Sequence, residues 1–306
     1  MMYVWLIVGF VFLIKGADLF VDGSSSIAKL LKVPSVVIGL TIVALGTSAP
    51  EAAVSVTAGI AGSNELAISN VIGSNAFNLL MVVGVCAIIK EFSVNPDILK
   101  RDFPINIAVT VLLVIFLRDL NVSRLEGCIL FLLLVAYIVY MVISAVKNRK
   151  TEGEEIKAMS PVKSILAVLV GITAVVFGGD LVVDNASLIA ASFGLSQTLI
   201  GLTIVAIGTS LPELVTSVVA AGKGESGLAL GNVVGSNLFN IMFILGMSSA
   251  ITPIQAAKET MVDVVILLVF TVMVFLFCKS DKKVKRMEGI FCVLAYAAYT
   301  AYIILR

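Results

Sequence analysis

Residues 39–51 read GLTIVALGTSAPE, and residues 201–213 read GLTIVAIGTSLPE. A second block, NVIGSNAFN at 70–78, returns as NVVGSNLFN at 232–240, and both blocks recur at an offset of 162 residues. Duplicated apolar segments that each carry a polar motif are typical of transporters built from internal repeats. The repetition therefore predicts two homologous halves with one acidic motif in each.

The composition excludes most soluble classes. Of the 306 residues, 59% are hydrophobic and 13% are charged, and the mean hydropathy is +1.11. Soluble domains carry about 25% charged residues. The net charge of +1 offers no basic surface for nucleic acid, and the absence of histidine removes imidazole ligands and histidine acid–base chemistry. We therefore expect an integral membrane protein.

A helix that spans a bilayer needs about 20 apolar residues. Ten segments fit, at 2–22, 35–61, 66–89, 103–118, 125–146, 162–183, 197–221, 227–252, 260–278 and 287–305. We predict an all-α integral membrane protein with ten transmembrane helices in two five-helix repeats. The repeats cover 1–147 and 161–306, and a hydrophilic cytoplasmic linker covers 148–160.

Lysine and arginine set the orientation, because cytoplasmic loops are enriched in both. One set of loops holds 16 of these residues and the opposite set holds 4, with Lys15 inside the first span. The rich side should be cytoplasmic, which places both termini outside a multi-pass protein of the cell (inner) membrane. An odd number of spans per half makes the repeats inverted, an architecture used for alternating access.

Glu51 and Glu213 are the only glutamates well inside a predicted span. An ionisable group there costs at least ~2.5–3.5 kcal/mol on insertion scales, so it indicates a functional site by default. The alternative is a structural carboxylate that is protonated or paired with a cation, but Lys15 is the only deep base for two symmetric glutamates.

The residues before each glutamate favour an ion site. Pro50 lacks an N–H and clashes with the carbonyl of Gly46, so the helix should break there and release carbonyls around Thr47. Such backbone is tolerated at membrane depth only where it is buried in protein or lines a cavity. The second half repeats the arrangement at Gly208, Thr209 and Pro212.

The third and eighth spans carry polar residues every four positions. These are Asn70, Ser74 and Asn78, and Asn232, Ser236 and Asn240. Hydrogen bonds between helices are the alternative explanation for such residues. Beside the glutamates, we expect them to complete the site.

Two bidentate glutamates and two carbonyls, at Thr47 and Thr209, provide six oxygens. Ca²⁺ takes 6–8 oxygens with flexible geometry, whereas Mg²⁺ dehydrates reluctantly. The site has no soft ligand for Zn²⁺ or Cu⁺. Two negative charges balance one Ca²⁺, and Na⁺ also suits hard oxygen ligands.

The paired motifs GTSAPE…GSNAFN and GTSLPE…GSNLFN resemble those of the calcium:cation antiporter superfamily. The chain looks closest to bacterial and archaeal sodium/calcium exchangers related to the potassium-dependent exchangers, over essentially its whole length. The resemblance implies ten helices, exchange of Ca²⁺ for Na⁺ by alternating access with the first and sixth spans sliding, and no cofactor. We expect a monomer in membrane lipid that binds these two ions and no nucleic acid.

The resemblance also implies roles for individual residues. Glu51 and Glu213 would hold Ca²⁺ with the carbonyls of Thr47 and Thr209. One Na⁺ site would use the Ala44 carbonyl, Ser48, Ser74 and Glu213, and its mirror would use the Ala206 carbonyl, Thr209, Ser210, Ser236 and Glu51. Asn78 and Asn240 would flank a middle position, where many sodium/calcium exchangers carry an aspartate.

Three alternatives stay open. A proton-coupled Ca²⁺ antiporter is the nearest, although such proteins usually lack the Thr-Ser pair found twice here. An intramembrane aspartyl protease would use Asp180, in Gly178-Gly179-Asp180, but no deep aspartate is available to face it. A cation channel would need no counter-ion.

Four aspartates lie near the predicted span ends, where they are either interfacial charges or a vestibule that attracts cations. They form two pairs at the repeat offset, Asp18 and Asp22 with Asp180 and Asp184. Asp18 can also pair with Lys15, three residues away.

The charge bias predicts which loops face the cytoplasm. In a background without the four native cysteines, Gly153→Cys should react only with reagents that reach the cytoplasm, and Asn121→Cys only from outside. Membrane-impermeant maleimide labelling of whole cells and inverted vesicles measures this. The reverse pattern would contradict the orientation, and labelling of both positions from one side would contradict the ten-span count.

Overall fold

A computed structural model describes residues 1–60, 64–147, 158–194 and 206–305, and these residues are almost entirely helical. The helices are α1 Met2–Leu31, α2 Ser35–Thr47, α3 Ala49–Ile60, α4 Glu65–Ile89, α5 Phe103–Phe116, α6 Arg124–Lys147, α7 Pro161–Ser192, α8 Ala206–Gly208, α9 Leu211–Gly222, α10 Ser226–Ile251, α11 Lys258–Ser280 and α12 Arg286–Leu305.

The protein is a multi-pass membrane protein. Within the described residues, seven helices are long and apolar enough to cross a membrane, namely α1, α4, α6, α7, α10, α11 and α12, and the bent pair α2–α3 makes an eighth candidate. Helices α5 and α9 are shorter, and the predicted span 197–221 lies partly outside the described residues.

Two predicted boundaries are wrong. Helix α1 continues from the expected end at 22 to Leu31, and α7 continues from 183 to Ser192. At a rise of about 1.5 Å per residue, each helix is longer than a hydrocarbon core of about 30 Å. Asp22 and Asp184 lie beside the expected ends, but a charged residue does not end a helix that has already left the apolar layer of the membrane.

Helices α4 and α10 form the centre of the molecule. Helix α10 is buried over nearly its whole apolar length and α4 over most of it, whereas about a third or fewer of the residues are buried in the other long spans. Polar side chains within a membrane span are costly to expose to lipid, so they face the interior of the helix bundle. The most polar of the duplicated motifs, NVIGSNAFN and NVVGSNLFN, therefore lie in the best-protected part of the fold.

Helices α1 and α7 pack closely against each other in antiparallel orientation. Gly16 lies against Ala174 and Gly9 against Val182, so the two chains run in opposite directions. A Cβ on Gly178 would lie 2.6 Å from the Leu13 backbone nitrogen. Small residues permit this approach between membrane helices.

The all-α prediction missed four two-residue strands. These are β1 Phe92–Ser93, β2 Asn121–Val122, β3 Ile254–Gln255 and β4 Lys283–Val284. They form two antiparallel pairs, β1 with β4 and β2 with β3. Segments this short leave no alternating pattern in the sequence. Each pair joins a loop of the first half to a loop of the second.

The close approach of α1 and α7 predicts that Gly178→Val destabilises the protein. The added side chain must push against backbone atoms, and overpacking of this kind costs about 1–3 kcal/mol. The thermal midpoint in detergent should fall. Gly222→Ala, where a Cβ meets nothing within 4 Å, is the control and should leave the midpoint unchanged. Equal midpoints for both variants would contradict the packing.

Candidate functional site

A break interrupts the helix that carries each glutamate. In the first half, α2 and α3 are bent by 49° about Ser48, which has φ −82° and ψ 11°. In the second half, α9 begins after Ser210, which has φ −94° and ψ 6°. Pro50 and Pro212 occupy the first turns of α3 and α9, where a residue without an N–H is tolerated. The predicted breaks are therefore present in both halves.

The carboxylates of Glu51 and Glu213 are fully buried, and each is held by the other half of the molecule. Ser48 Oγ donates to Glu213 Oε1 at 2.8 Å, and Ser210 Oγ donates to Glu51 Oε1 at 2.9 Å. A serine and a glutamate spaced three apart at a helix start usually form a capping box within one helix. Here both hydroxyls bond across the repeats, and neither half can build the site alone.

Helices α4 and α10 close the site. Ser236 Oγ donates to Glu213 Oε1 at 3.4 Å. Glu213 belongs to the same half as Ser236, whereas the resemblance grouped Ser236 with Glu51. Within the described residues, five buried oxygens here have no hydrogen-bond partner: Glu51 Oε2, Glu213 Oε2, Ser74 Oγ, Asn78 Oδ1 and Asn240 Oδ1. Most buried polar atoms in proteins are satisfied, so these oxygens are open to a bound ion or to water. Oxygen atoms alone suit a hard cation.

Two asparagines that were not predicted, Asn75 and Asn237, connect α4 to α10. Asn75 Nδ2 donates to the Asn237 carbonyl at 3.2 Å, and Asn237 Nδ2 donates to the Asn75 carbonyl at 3.3 Å. Their side-chain oxygens accept from Asn240 Nδ2 at 3.0 Å and from Asn78 Nδ2 at 3.3 Å. The recurrence of GSN in both motifs was the available signal.

Asn70 and Asn232 do not share this role. Asn70 Nδ2 donates to Ser55 Oγ at 3.0 Å, and Asn232 Nδ2 donates to Ser217 Oγ at 2.9 Å. These bonds join α3 to α4 and α9 to α10. The hydrogen-bonding alternative is therefore correct for these two residues.

The threonines and alanines of the predicted site lie at the helix breaks. Thr47 is fully buried, and its single hydroxyl hydrogen has two acceptors in reach, the Val43 carbonyl at 3.1 Å and Asn232 Oδ1 at 3.0 Å. The Ala44 carbonyl accepts from the Ser48 amide at 3.0 Å and lies 3.4 Å from the Thr47 hydroxyl. Thr209 is half-buried between α8 and α9. Ala206 begins α8, beside residues outside the described part.

The site carries two carboxylates and no base. None of the ion pairs among the described residues involves Glu51 or Glu213. The described residues also hold no group of three or more histidines, cysteines, aspartates and glutamates that could bind a metal. Two buried negative charges without a cationic side chain require a bound cation or protons.

Comparisons with known proteins agree with this geometry. The sequence model of the family described as sodium/calcium exchanger protein matches residues 1–144 and 163–305. The chain belongs to this family. CaxA of Alkalimonas amylolytica is 39% identical over 97% of this chain and 96% of its own. The sodium/calcium exchanger MaX1 of Methanosarcina acetivorans is 34% identical over 96% of both chains.

A solved structure of the sodium-calcium exchanger NCX_Mj superimposes with a TM-score of 0.88 at 32% identity, covering 99% of this chain and 98% of that one. As a member of the sodium/calcium exchanger family, the chain is a Na⁺/Ca²⁺ antiporter rather than an enzyme, and the two ions are its substrates. The protease hypothesis fails on geometry as well, because Asp180 is exposed on α7.

A second polar cluster of this exchanger joins α1 to the end of α9. Lys223 Nζ lies 2.7 Å from Asp18 Oδ1 and 2.5 Å from Asp22 Oδ1. The expected partner Lys15 is wrong, because Lys223 reaches both carboxylates from a neighbouring helix. In the second half, Asp180 and Asp184 make no ion pair with any described residue, and the position that matches Lys223 at the repeat offset is Ala61.

Loss of either buried charge should stop Ca²⁺ transport. Glu51→Gln and Glu213→Gln keep the size of the side chain but remove one of the two charges that replace the hydration of Ca²⁺. Truncating one member of a buried charge pair costs about 2–5 kcal/mol. Since about 1.4 kcal/mol corresponds to a tenfold change, the affinity for Ca²⁺ should fall more than tenfold. Sodium-driven Ca²⁺ uptake into proteoliposomes measures this loss of transport. The exposed Glu65→Gln is the control, and near-normal flux in either site variant would refute the assignment.

Proposed function

We propose that Ca²⁺ and Na⁺ occupy the same buried cluster of oxygens in turn, so that binding of one excludes the other. The observation that carries this proposal is the set of unpartnered oxygens around two crossed carboxylates. An antiporter needs such mutual exclusion, because simultaneous binding would move both ions in the same direction.

Ca²⁺ is held by the carboxylates of Glu51 and Glu213 and by the backbone carbonyls of Thr47 and Thr209. Each carboxylate has one oxygen bonded to a serine of the other half, while its Oε2 is unpartnered among the described residues. The bonds of the Thr47 hydroxyl to Val43 and Asn232 fix this residue at the helix break. Six oxygens from four residues match the lower end of Ca²⁺ coordination.

Na⁺ uses the hydroxyls that surround the same carboxylates. One site consists of the Ala44 carbonyl, Ser48, Ser74 and Glu213, and the other consists of the Ala206 carbonyl, Thr209, Ser210, Ser236 and Glu51. The bond from Ser48 to Glu213 supports the first site, and the bond from Ser210 to Glu51 supports the second. The side-chain oxygens of Asn78 and Asn240 flank the middle position between them.

The chain forms ten transmembrane helices in two inverted repeats, over 1–147 and 161–306, joined by the cytoplasmic linker 148–160. The paired strands support this arrangement, since Phe92 opposite Val284 recurs as Ile254 opposite Val122 at the repeat offset. The crossed serine–glutamate bonds repeat in the same way. The protein works as a monomer in the inner membrane, with both termini outside.

Alternating access arises from movement of α1 and α7 as one unit across the site. These helices contact each other far more than they contact the rest of the molecule, and their outer faces expose large apolar side chains. The ion pairs of Lys223 with Asp18 and Asp22 tie α1 to the predicted cytoplasmic end of α9. The unpaired Asp180 and Asp184 leave a negative charge at the opposite mouth, where it attracts cations.

The hydroxyls predict coupling to Na⁺ rather than to protons. Proton transport would require only the two glutamates, and it would leave Ser74 and Ser236 without a coordinating role. An imposed Na⁺ gradient should drive Ca²⁺ in the opposite direction at constant pH. Ser74→Ala and Ser236→Ala should raise the Na⁺ concentration for half-maximal exchange several-fold, about 1 kcal/mol per lost oxygen ligand, with a smaller effect on Ca²⁺ binding.

Ca²⁺ flux in proteoliposomes, with Na⁺ and pH gradients imposed separately, tests this coupling. Ser249→Ala, a buried serine of α10 that bonds the Leu245 carbonyl, is the matched control and should keep wild-type Na⁺ dependence. Uptake that follows the pH gradient and ignores Na⁺ would indicate proton coupling. Flux without any counter-ion would indicate a channel.

A further inference from the structure

The asparagines between α4 and α10 form a closed arrangement in which every amide has one allowed orientation. A backbone carbonyl can only accept hydrogen bonds. Asn75 Nδ2 must therefore face the Asn237 carbonyl, 3.2 Å away, and Asn237 Nδ2 must face the Asn75 carbonyl, 3.3 Å away. The two side-chain oxygens then point the other way.

Those oxygens determine how Asn78 and Asn240 are oriented. Asn240 turns its Nδ2 to Asn75 Oδ1 at 3.0 Å, and Asn78 turns its Nδ2 to Asn237 Oδ1 at 3.3 Å. A flipped amide would place two oxygens against each other, which leaves only the observed orientation. The other end of each amide, Asn78 Oδ1 or Asn240 Oδ1, is buried and unpartnered among the described residues.

We propose that Asn75 and Asn237 are positioning residues that hold the side-chain carbonyl oxygens of Asn78 and Asn240 toward the transported cation. This inference rests on the proposed shared cation site. Neither residue binds the ion. The side-chain oxygen of each accepts a hydrogen bond from the NH₂ group of a neighbouring asparagine. Without them an amide can rotate by 180° and present its NH₂ group, whose partial positive charge repels a cation.

The test uses an aspartate to make this orientation irrelevant. Asn75→Leu is close in size to asparagine and removes both bonds. With Asn240 present, it should raise the half-saturating Ca²⁺ concentration of exchange about tenfold, equivalent to ~1.4 kcal/mol, with little change in maximal rate. In the Asn240→Asp background, which has an oxygen at both ends of the side chain, the same substitution should change that concentration less than about threefold.

A packing role for Asn75 would give equal effects in both backgrounds, and this result would overturn the proposal, as would no effect with Asn240 present. Asn70→Leu, on the same helix as Asn75, removes the bond to Ser55 of α3; it is the control and should act equally in both backgrounds. The symmetric set, Asn237→Leu with and without Asn78→Asp, serves if Asn75→Leu does not fold. If Na⁺ did not compete with Ca²⁺ for binding to the wild-type protein, the proposed function itself would be refuted.

Discussion

Two buried carboxylates without a buried base constrain the whole centre of this protein. Glu51 and Glu213 are fully inaccessible, and an uncompensated charge at this depth would cost several kcal/mol. The surrounding structure supplies serine hydroxyls, amides and helix breaks rather than lysine or arginine. Such groups lower the cost of the negative charges without neutralising them, so the site keeps its affinity for a cation. A site of this kind can also release its ion, because no fixed positive charge replaces it permanently.

The crossed bonds explain why the sequence is duplicated. Ser48 serves Glu213 and Ser210 serves Glu51, and the asparagines of α4 and α10 exchange bonds in the same two-fold manner. Each half therefore presents a carboxylate that only the other half can complete. The halves differ at the periphery, where Lys223 binds Asp18 and Asp22 while Asp180 and Asp184 have no ionic partner among the described residues.

Much of the site was predictable from the sequence, because the motifs are duplicated and their polar residues stand out in apolar helices. The breaks at Pro50 and Pro212 followed from the missing amide hydrogen, and the buried glutamates followed from the cost of burying charge. The hydrogen bonds from the serine of one half to the glutamate of the other were not predictable, since Ser-x-x-Glu spacing is equally suited to a cap within one helix. The pairing of Asp18 with Lys223 was missed because it joins residues distant in the chain. The roles of Asn75 and Asn237 depend on tertiary hydrogen bonds, which periodicity does not reveal.

The most direct test of the central claim is calorimetric titration of the purified protein with Ca²⁺ at several Na⁺ concentrations and constant ionic strength. A shared buried site predicts one Ca²⁺ per chain and an apparent Kd that rises as Na⁺ increases, because the proposed Na⁺ sites use the same two carboxylates as Ca²⁺. An apparent Kd that does not change with Na⁺ would show that the two ions bind independently and would contradict the account.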